Sequence, residues 1–202
     1  NSHTMLPEIQ YISQGITARQ QSDHIRKVLD MGYKWIQLRF KHQEQKVLLP
    51  LAEEVKLLCE SYNAVFIIND HAAIAKQVDA DGVHLGLTDM AVADARAILA
   101  HGKIIGGTAN TLQDVRQRIA EGCSYIGLGP YRFTRTKEKL SPVLGLEGYR
   151  NVIAALLPGE RTVPIYAIGG IQQEDIAALI ATGIYGIAVS GLLTHHPVKV
   201  QW

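Results

Sequence analysis

The stretch Trp35-Ile36-Gln37-Leu38-Arg39-Phe40-Lys41 alternates without a break. In an extended strand Ile36, Leu38 and Phe40 point to one side, and Gln37, Arg39 and Lys41 to the other. A half-solvated antiparallel strand accounts for a polar stripe of this kind. So does one strand of a closed parallel barrel, where outward residues pack on helices and inward residues near the C-terminal mouth line a site. The organisation of the remaining chain separates the two.

Short β-branched or apolar runs recur at Ile9–Ser13, Lys34–Arg39, Val65–Ile68, Gly82–Leu85, Lys103–Gly106, Tyr125–Leu128, Val163–Ile168 and Tyr185–Val189. Between them, Ser22–Leu29, Leu48–Ser61, Ala91–Leu99, Leu112–Ala120, Tyr149–Leu156 and Glu174–Ala181 carry apolar residues at three- and four-residue spacings, the period of an amphipathic helix. Thr111 reads as a helix start, and Gly122 and Gly183 as stops. Eight strands alternating with helices in 202 residues fit a small (β/α)8 TIM barrel better than an open doubly wound sheet. No Gly-x-Gly-x-x-Gly follows the first strand, which argues against a dinucleotide fold. In the barrel reading, Ile36, Leu38 and Phe40 face the helices, while Arg39 and Lys41 rise into the mouth.

Length and composition set the limits. A chain of 202 residues buries about 70% of its unfolded surface as one domain. With no linker-like segment or composition break, a single domain over residues 5–202 is expected. Asn1-Ser2-His3-Thr4 ahead of Met5 reads as an expression remnant and is set aside. A hydrophobic content of 47% and a charged content of 19% argue against disorder. The formal charge of +1 leaves no broad field for nucleic acid or an anionic membrane, so any cationic site is local. Cys59 and Cys123 sit in apolar patterned segments and read as reduced core thiols, pointing to a cytoplasmic setting. No apolar run reaches the roughly 20 residues that cross a bilayer.

Several strand ends carry groups suited to chemistry. Phe66-Ile67-Ile68 ends in Asn69-Asp70, and Gly82-Val83-His84-Leu85-Gly86 is followed by Leu87-Thr88-Asp89. Two carboxylates at neighbouring strand ends suit Mg²⁺, which favours one or two carboxylates plus phosphate oxygens and waters. The plainer alternative makes Asp70 and Asp89 helix N-caps. His84 is either a ligand contact or an inward residue bonded to a neighbour. After the fifth strand, Gly106-Gly107-Thr108-Ala109-Asn110 either admits a ligand close to the backbone or permits a turn. Gly127 and Gly129, on the inner face of the sixth strand, leave room for a substrate ring or merely fit a tight interior. The unpatterned piece Pro130–Leu144 holds Thr134-Arg135-Thr136-Lys137, a candidate closing loop over phosphates. Gly169-Gly170 and Ser190-Gly191 close the seventh and eighth strands, where barrels often bind phosphate through backbone N–H groups.

Taken in order, Gln37-Leu38-Arg39-Phe40-Lys41, Asn69-Asp70, Ala80-Asp81-Gly82-Val83-His84-Leu85-Gly86 with Asp89, Tyr125-Ile126-Gly127-Leu128-Gly129-Pro130, Thr134-Arg135-Thr136-Lys137 and Ala167-Ile168-Gly169-Gly170-Ile171 resemble the thiamine phosphate synthase family, also called thiamin-phosphate pyrophosphorylase. The resemblance runs from Ile9 to about Leu193. It implies a Mg²⁺-dependent transferase that joins a hydroxymethyl-aminopyrimidine diphosphate to a thiazole phosphate and releases pyrophosphate. It further implies that Arg39, Lys41, Asn69 and Lys137 hold the diphosphate, with Mg²⁺ on Asp70 and Asp89. Gln37 and Thr108 would meet the pyrimidine, with His84 beside them. Thr134, Thr136, Gly169, Gly170, Ser190 and Gly191 would hold the thiazole phosphate. The family's reaction is dissociative, so leaving-group charge is the main thing to stabilise.

Departures from the family pattern are visible. Its Gly-x-Ser-x-His reads Gly106-Gly107-Thr108-Ala109-Asn110 here, its Phe-Pro ahead of the Thr-x-Thr-Lys motif reads Arg132-Phe133, and its Ile-Ser after the eighth strand reads Ser190-Gly191. Two rival readings remain: a thiazole tautomerase of the same barrel type, and a non-catalytic barrel that binds a phosphate ligand. The His a tautomerase would use corresponds to Asn110, which favours the synthase. Expected partners are small-molecule substrates, with neither nucleic acid nor membrane, and a homodimer is left open.

Overall fold

The opening alternation is resolved by which neighbours each side chain meets in a computed structural model describing residues 5–133, 142–196 and 199–200. Ile36, Leu38 and Phe40 join the core shared with the helices, whereas Trp35 and Gln37 turn into a closed interior. Strands β1 (Ile9–Ile12), β2 (Trp35–Leu38), β3 (Val65–Asn69), β4 (Gly82–Leu85), β5 (Ile104–Ala109), β6 (Tyr125–Leu128), β7 (Ile165–Ile168) and β8 (Gly186–Val189) pair in sequence order, and β8 returns to β1. Every pairing is parallel, so all eight C-terminal ends share one rim. That is the expected (β/α)8 barrel.

Helices α1 (Ala18–Asp30), α2 (Gln45–Ser61), α3 (Ala72–Gln77), α4 (Val92–Ile98), α5 (Leu112–Ala120), α6 (Gly145–Ala155), α7 (Ile176–Ala181) and α8 (Gly191–His195) return the chain between strands and after β8. Local chemistry fixes several of their ends. Thr17 and Thr111 are N-caps whose hydroxyls accept from Gln20 N and Asp114 N, each satisfying one orphan donor of the first turn. Gly122 and Gly183 follow α5 and α7 at φ +83 and +102, a left-handed backbone that side chains with a Cβ avoid.

The floor of the barrel is aromatic. Trp35, Tyr125 and Tyr166 meet edge to face with centroid separations of 4.9, 5.2 and 5.6 Å, the geometry ring quadrupoles prefer, and Ile67 completes the layer. Below them, the Tyr166 and Tyr185 hydroxyls donate to the Pro7 and Leu6 carbonyls, tying the first described residues across the base. The floor blocks passage through the barrel, so ligands must enter at the opposite rim. Among the described residues no helix is long and apolar enough to cross a membrane. Cys59 and Cys123 are free and buried, and burial pushes their thiols up to about 12 and about 11, which keeps them protonated and inert.

Candidate active site

The site is built from strand ends. Ser13 Oγ accepts from Arg39 N at 2.9 Å, and the Gln21 amide on α1 donates to the Arg39 carbonyl at 3.1 Å. The peptide units on both sides of Arg39 are thus held before its side chain leaves β2. Lys41 stands one pleat further on, exposed at the rim. Next door, Asp70 N donates to the His84 carbonyl at 2.7 Å and Asp70 adopts φ +70, a left-handed conformation uncommon for a residue with a Cβ. That turn swings the Asp70 carboxylate over the rim.

Asp89 arrives from the β4–α4 loop, its Oδ2 accepting from Gly86 N at 2.7 Å. Asp70 and Asp89 lie close enough for each carboxyl to feel the other. Burial is the main cause that raises the Asp70 carboxyl above its ordinary pKa, and the charge of Asp89 adds to it; His71 and Lys41 pull the other way. Two half-buried carboxylates pressed together with a lysine alongside form a donor set that fits a hard divalent cation. Neither acid is a helix cap: α3 begins after His71 and α4 after Ala91. The N-cap alternative is therefore set aside. Lys41, Asn69, Asp70 and His71 line a cleft of about 370 Å³ between the β2 and β3 loops. A wider depression, about 1570 Å³, opens at the far end of the barrel around Lys103, Pro164 and Tyr185, and none of the expected site residues lines it.

Inside the mouth runs a chain of buried polar side chains. Gln37 Nε2 donates to Gln10 Oε1 at 2.5 Å; the Tyr125 hydroxyl lies 2.6 Å from His84 Nδ1, and His84 Nε2 lies 2.9 Å from Thr108 Oγ1. Gln10 links the two halves loosely, because its Nε2 is buried without a well-formed hydrogen bond although its influence reaches the Tyr125 hydroxyl. Burial raises the Tyr125 pKa far above the ordinary tyrosine value, so its hydroxyl stays protonated. His84 is thus engaged through both ring nitrogens inside the barrel, the plainer of its two readings. Its Nε2 side holds the Thr108 hydroxyl.

The small residues of β5 and β6 have different uses from those expected. A Cβ on Gly106 would stand 2.0 Å from Tyr125 Cζ, and one on Gly107 would stand 2.6 Å from Arg118 Nε. Gly106 therefore admits Tyr125 inside the barrel, and Gly107 admits Arg118 outside it; neither makes a turn or a ligand cradle. Gly127 does face inward, 3.4 Å from His84 Cε1 for an added Cβ, whereas Gly129 gives way to the Ile168 carbonyl at 2.4 Å. The position beside Gly127 is bordered by His84 and Ile168 at ordinary contact distance, and that beside Gly129 is filled by Ile168.

At the β7 and β8 ends, Gly169 and Gly170 adopt φ +96 and +70 and carry the close passage of Pro130 and Arg132. Arg132 N and Nη1 donate to the Gly169 and Gly170 carbonyls at 3.0 and 2.7 Å. Ser190 precedes α8, and its carbonyl accepts from both Thr194 N and Thr194 Oγ1 at 3.0 and 2.9 Å. The Tyr11 hydroxyl, on the outer face of β1, meets Thr194 Oγ1 at 2.5 Å. Thr134, Thr136 and Lys137 lie outside the described residues. Sequence reasoning passed over Gln10, Tyr125 and Arg118 as site components. Only Gln10 left a signal, a lone amide in the apolar run Ile9–Ile12.

Comparisons with known proteins bear on the family and the barrel. A family model described as thiamine monophosphate synthase matches residues 11–193. The chain is 58% identical over 190 residues to a thiamine-phosphate synthase of Flavobacterium psychrophilum, covering 94% of this chain and 92% of the relative. It is 44% identical over 193 residues to one of Bacteroides fragilis, covering 96% and 95%. Among solved structures, thiamine phosphate pyrophosphorylase from Pyrococcus furiosus superposes with a TM-score of 0.79 at 29% identity, covering 93% of this chain and 87% of that one.

Proposed function

The chain belongs to the thiamine monophosphate synthase family, and on that premise we propose that its mouth transfers a hydroxymethyl-aminopyrimidine group from a diphosphate to the nitrogen of a thiazole phosphate. Pyrophosphate is released. Arg39 and Lys41, with Asn69, receive the diphosphate, and Lys137 adds a further cation. Asp70 and Asp89 would hold Mg²⁺, whose contribution is to neutralise charge on the diphosphate oxygens as they leave. Gln37 and Thr108 orient the pyrimidine, and the His84–Tyr125 pair fixes the Thr108 hydroxyl. Thr134, Thr136, Gly169, Gly170, Ser190 and Gly191 hold the thiazole phosphate.

In the dissociative course, the carbon–oxygen bond to the diphosphate breaks first. The electron pair leaves with pyrophosphate, and the thiazole nitrogen supplies the pair that forms the new carbon–nitrogen bond. No nucleophilic side chain is required. Preorganised cations around the leaving group lower the barrier because charge develops there. The thiazole tautomerase reading would place an imidazole at position 110, where the Asn110 amide instead donates to the Gly129 carbonyl.

The single observation that carries the reading is the meeting of Asp70 with Asp89 and Lys41 at one rim. Mixing both substrates with Mg²⁺ should yield thiamine phosphate, with the pyrimidine diphosphate omitted as control. Asp89→Ala should abolish Mg²⁺-dependent pyrophosphate release while leaving thiazole phosphate binding nearly intact. Release that persists in that variant would remove Asp89 from the metal site.

A further inference from the structure

Arg118 is a charged side chain buried to 6% exposure in the layer between barrel and helices, away from the mouth interior. It sits in the second half of α5, and because helical side chains lean toward the helix N-terminus it reaches up toward the rim. There its guanidinium is almost fully spent on strand-end carbonyls. Nε donates to the Thr108 carbonyl at 2.9 Å, and Nη2 to the Leu85 and Gly86 carbonyls, both at 3.2 Å. Glu121 at 3.4 Å from Nη1 supplies the partial counter-charge. Burying a guanidinium is costly without such partners, and orphaned carbonyls at strand ends are costly too, so the two requirements answer each other.

The three carbonyls belong to functional ground. Gly86 is the residue whose N–H donates to Asp89 Oδ2, and an added Cβ there would lie only 2.9 Å from that oxygen. Gly86 is therefore gripped from both sides, its carbonyl by Arg118 outside the barrel and its N–H by Asp89 at the rim. Thr108 likewise offers its carbonyl to Arg118 and its hydroxyl to His84. One side chain thus fixes the platform under the Asp89 carboxylate and the backbone of the residue assigned to the pyrimidine.

We propose that Arg118 is a positioning residue for the two-carboxylate site, holding Gly86 and Thr108 from behind so that Asp89 meets Asp70 at the distance a shared divalent cation needs. The inference rests on the reading of Asp70 and Asp89 as the metal pair. It makes Gly107 part of the device, since only a residue without a Cβ leaves space for the guanidinium.

The test follows Mn²⁺ by water-proton relaxation in the full-length protein with inorganic pyrophosphate present, alongside the Mg²⁺ concentration for half-maximal turnover. Arg118→Met should raise both about tenfold, the order found when groups supporting a metal ligand are removed. The KM for thiazole phosphate should stay within about twofold, because that site lies across the barrel. Arg118→Lys should recover part of the loss, and Gly107→Ala, which displaces Arg118 without deleting it, should shift the metal requirement in the same direction. These two keep the idea testable if the Met variant does not fold. Asp89→Asn is the internal standard and should weaken Mn²⁺ binding more than any of them. If Asp89→Asn weakens binding but all three of the others leave it unchanged while only lowering Tm, Arg118 is a structural brace and the inference is wrong. If Asp89→Asn itself has no effect, the metal reading falls first.

Discussion

Arg132→Met should loosen the barrel at one corner of its mouth. The Arg132 guanidinium makes a bidentate pair with Asp175, 2.7 Å to Oδ2 and 3.0 Å to Oδ1, and also donates to the Gly170 carbonyl at 2.7 Å. The two ends differ in exposure: the Asp175 side chain is 8% exposed and that of Arg132 is 44%. Charge-assisted bonds of this type contribute roughly 1.5–3 kcal/mol each when desolvated, whereas an exposed pair gives at most about 1 kcal/mol. Water reaches the arginine end, and Asp175 keeps the Gln172 N–H at 2.8 Å after the substitution, so a net cost of about 2 kcal/mol is expected. For a chain of this length that corresponds to a fall in Tm of about 4–8 °C.

The pH dependence has a definite sign. Burial tends to raise the Asp175 carboxyl, but hydrogen bonds from Arg132 and Gln172 N, with the Arg132 charge and Tyr131, outweigh it and leave the group below its ordinary value. A carboxyl depressed in the folded state contributes stability that is complete above the unfolded-state value, about 3.9, and is lost as pH falls through the folded one. The gap between wild type and Arg132→Met should thus be full at neutral pH and shrink below about pH 4. Thermal unfolding across that range reads it, and adding Asp175→Asn closes a double-mutant cycle. A Tm change under about 1 °C at neutral pH, or a gap that does not shrink in acid, would refute the energetic account. Because the same guanidinium holds the Gly170 carbonyl, the KM for thiazole phosphate should rise as well.

Three further outcomes follow from particular contacts. Asp70→Asn should stabilise the metal-free protein at neutral pH, since a carboxyl raised in the folded state penalises folding above that pKa. The gain should fade as pH falls and vanish below the unfolded value, and a destabilised variant in chemical denaturation at neutral pH would contradict the shift. Tyr125→Phe keeps the ring stack but strips His84 Nδ1 of its 2.6 Å partner in a buried setting, at about 1–3 kcal/mol; an unchanged denaturation midpoint would show that the hydroxyl is not holding His84. Gly106→Ala places a Cβ 2.0 Å from Tyr125 Cζ and should cost about 1–3 kcal/mol or more, whereas Gly159→Ala, with nothing within 4 Å, should stay within about 0.5 kcal/mol. Comparable midpoints for the two variants would contradict the packing argument.

The eight strands were legible because parallel strands buried on both faces are apolar runs, and those runs leave little room for another assignment. Six helices were legible through periodicity, and α5 falls on the expected residues. The two missed, α3 and α8, have six and five residues; α7 is as short as α3, but the helical turn Gln173–Asp175 ahead of it lengthens the apolar pattern. β5 continues to Ala109, beyond the expected Gly106, because Gly107 and Thr108 still pair with Ile126 and Gly127 although they carry no apolar signal. The site divides in a similar way. Asp70 and Asp89 were placed at one rim by strand order alone, and the structure couples their charges there while giving neither the capping role it had as a local alternative. His84 was legible as an inward residue, but its two partners come from β5 and β6, 24 and 41 residues away. Arg118 reads in sequence as one more cation on a helix.

The alternation from Trp35 to Lys41 and its recurrence along the chain determined the architecture, since strand period and the need to bury one face decide which residues go inward before any contact is known. Strand ends in a parallel barrel share a rim, so the cationic and acidic candidates were bound to meet. What the tertiary structure alone decided is the use of the glycines, the polar chain from Gln37 to Thr108 and the grip of Arg118 on Gly86. Each depends on distances between segments far apart in the chain, and spacing along a sequence carries no record of what fills the space a missing Cβ leaves.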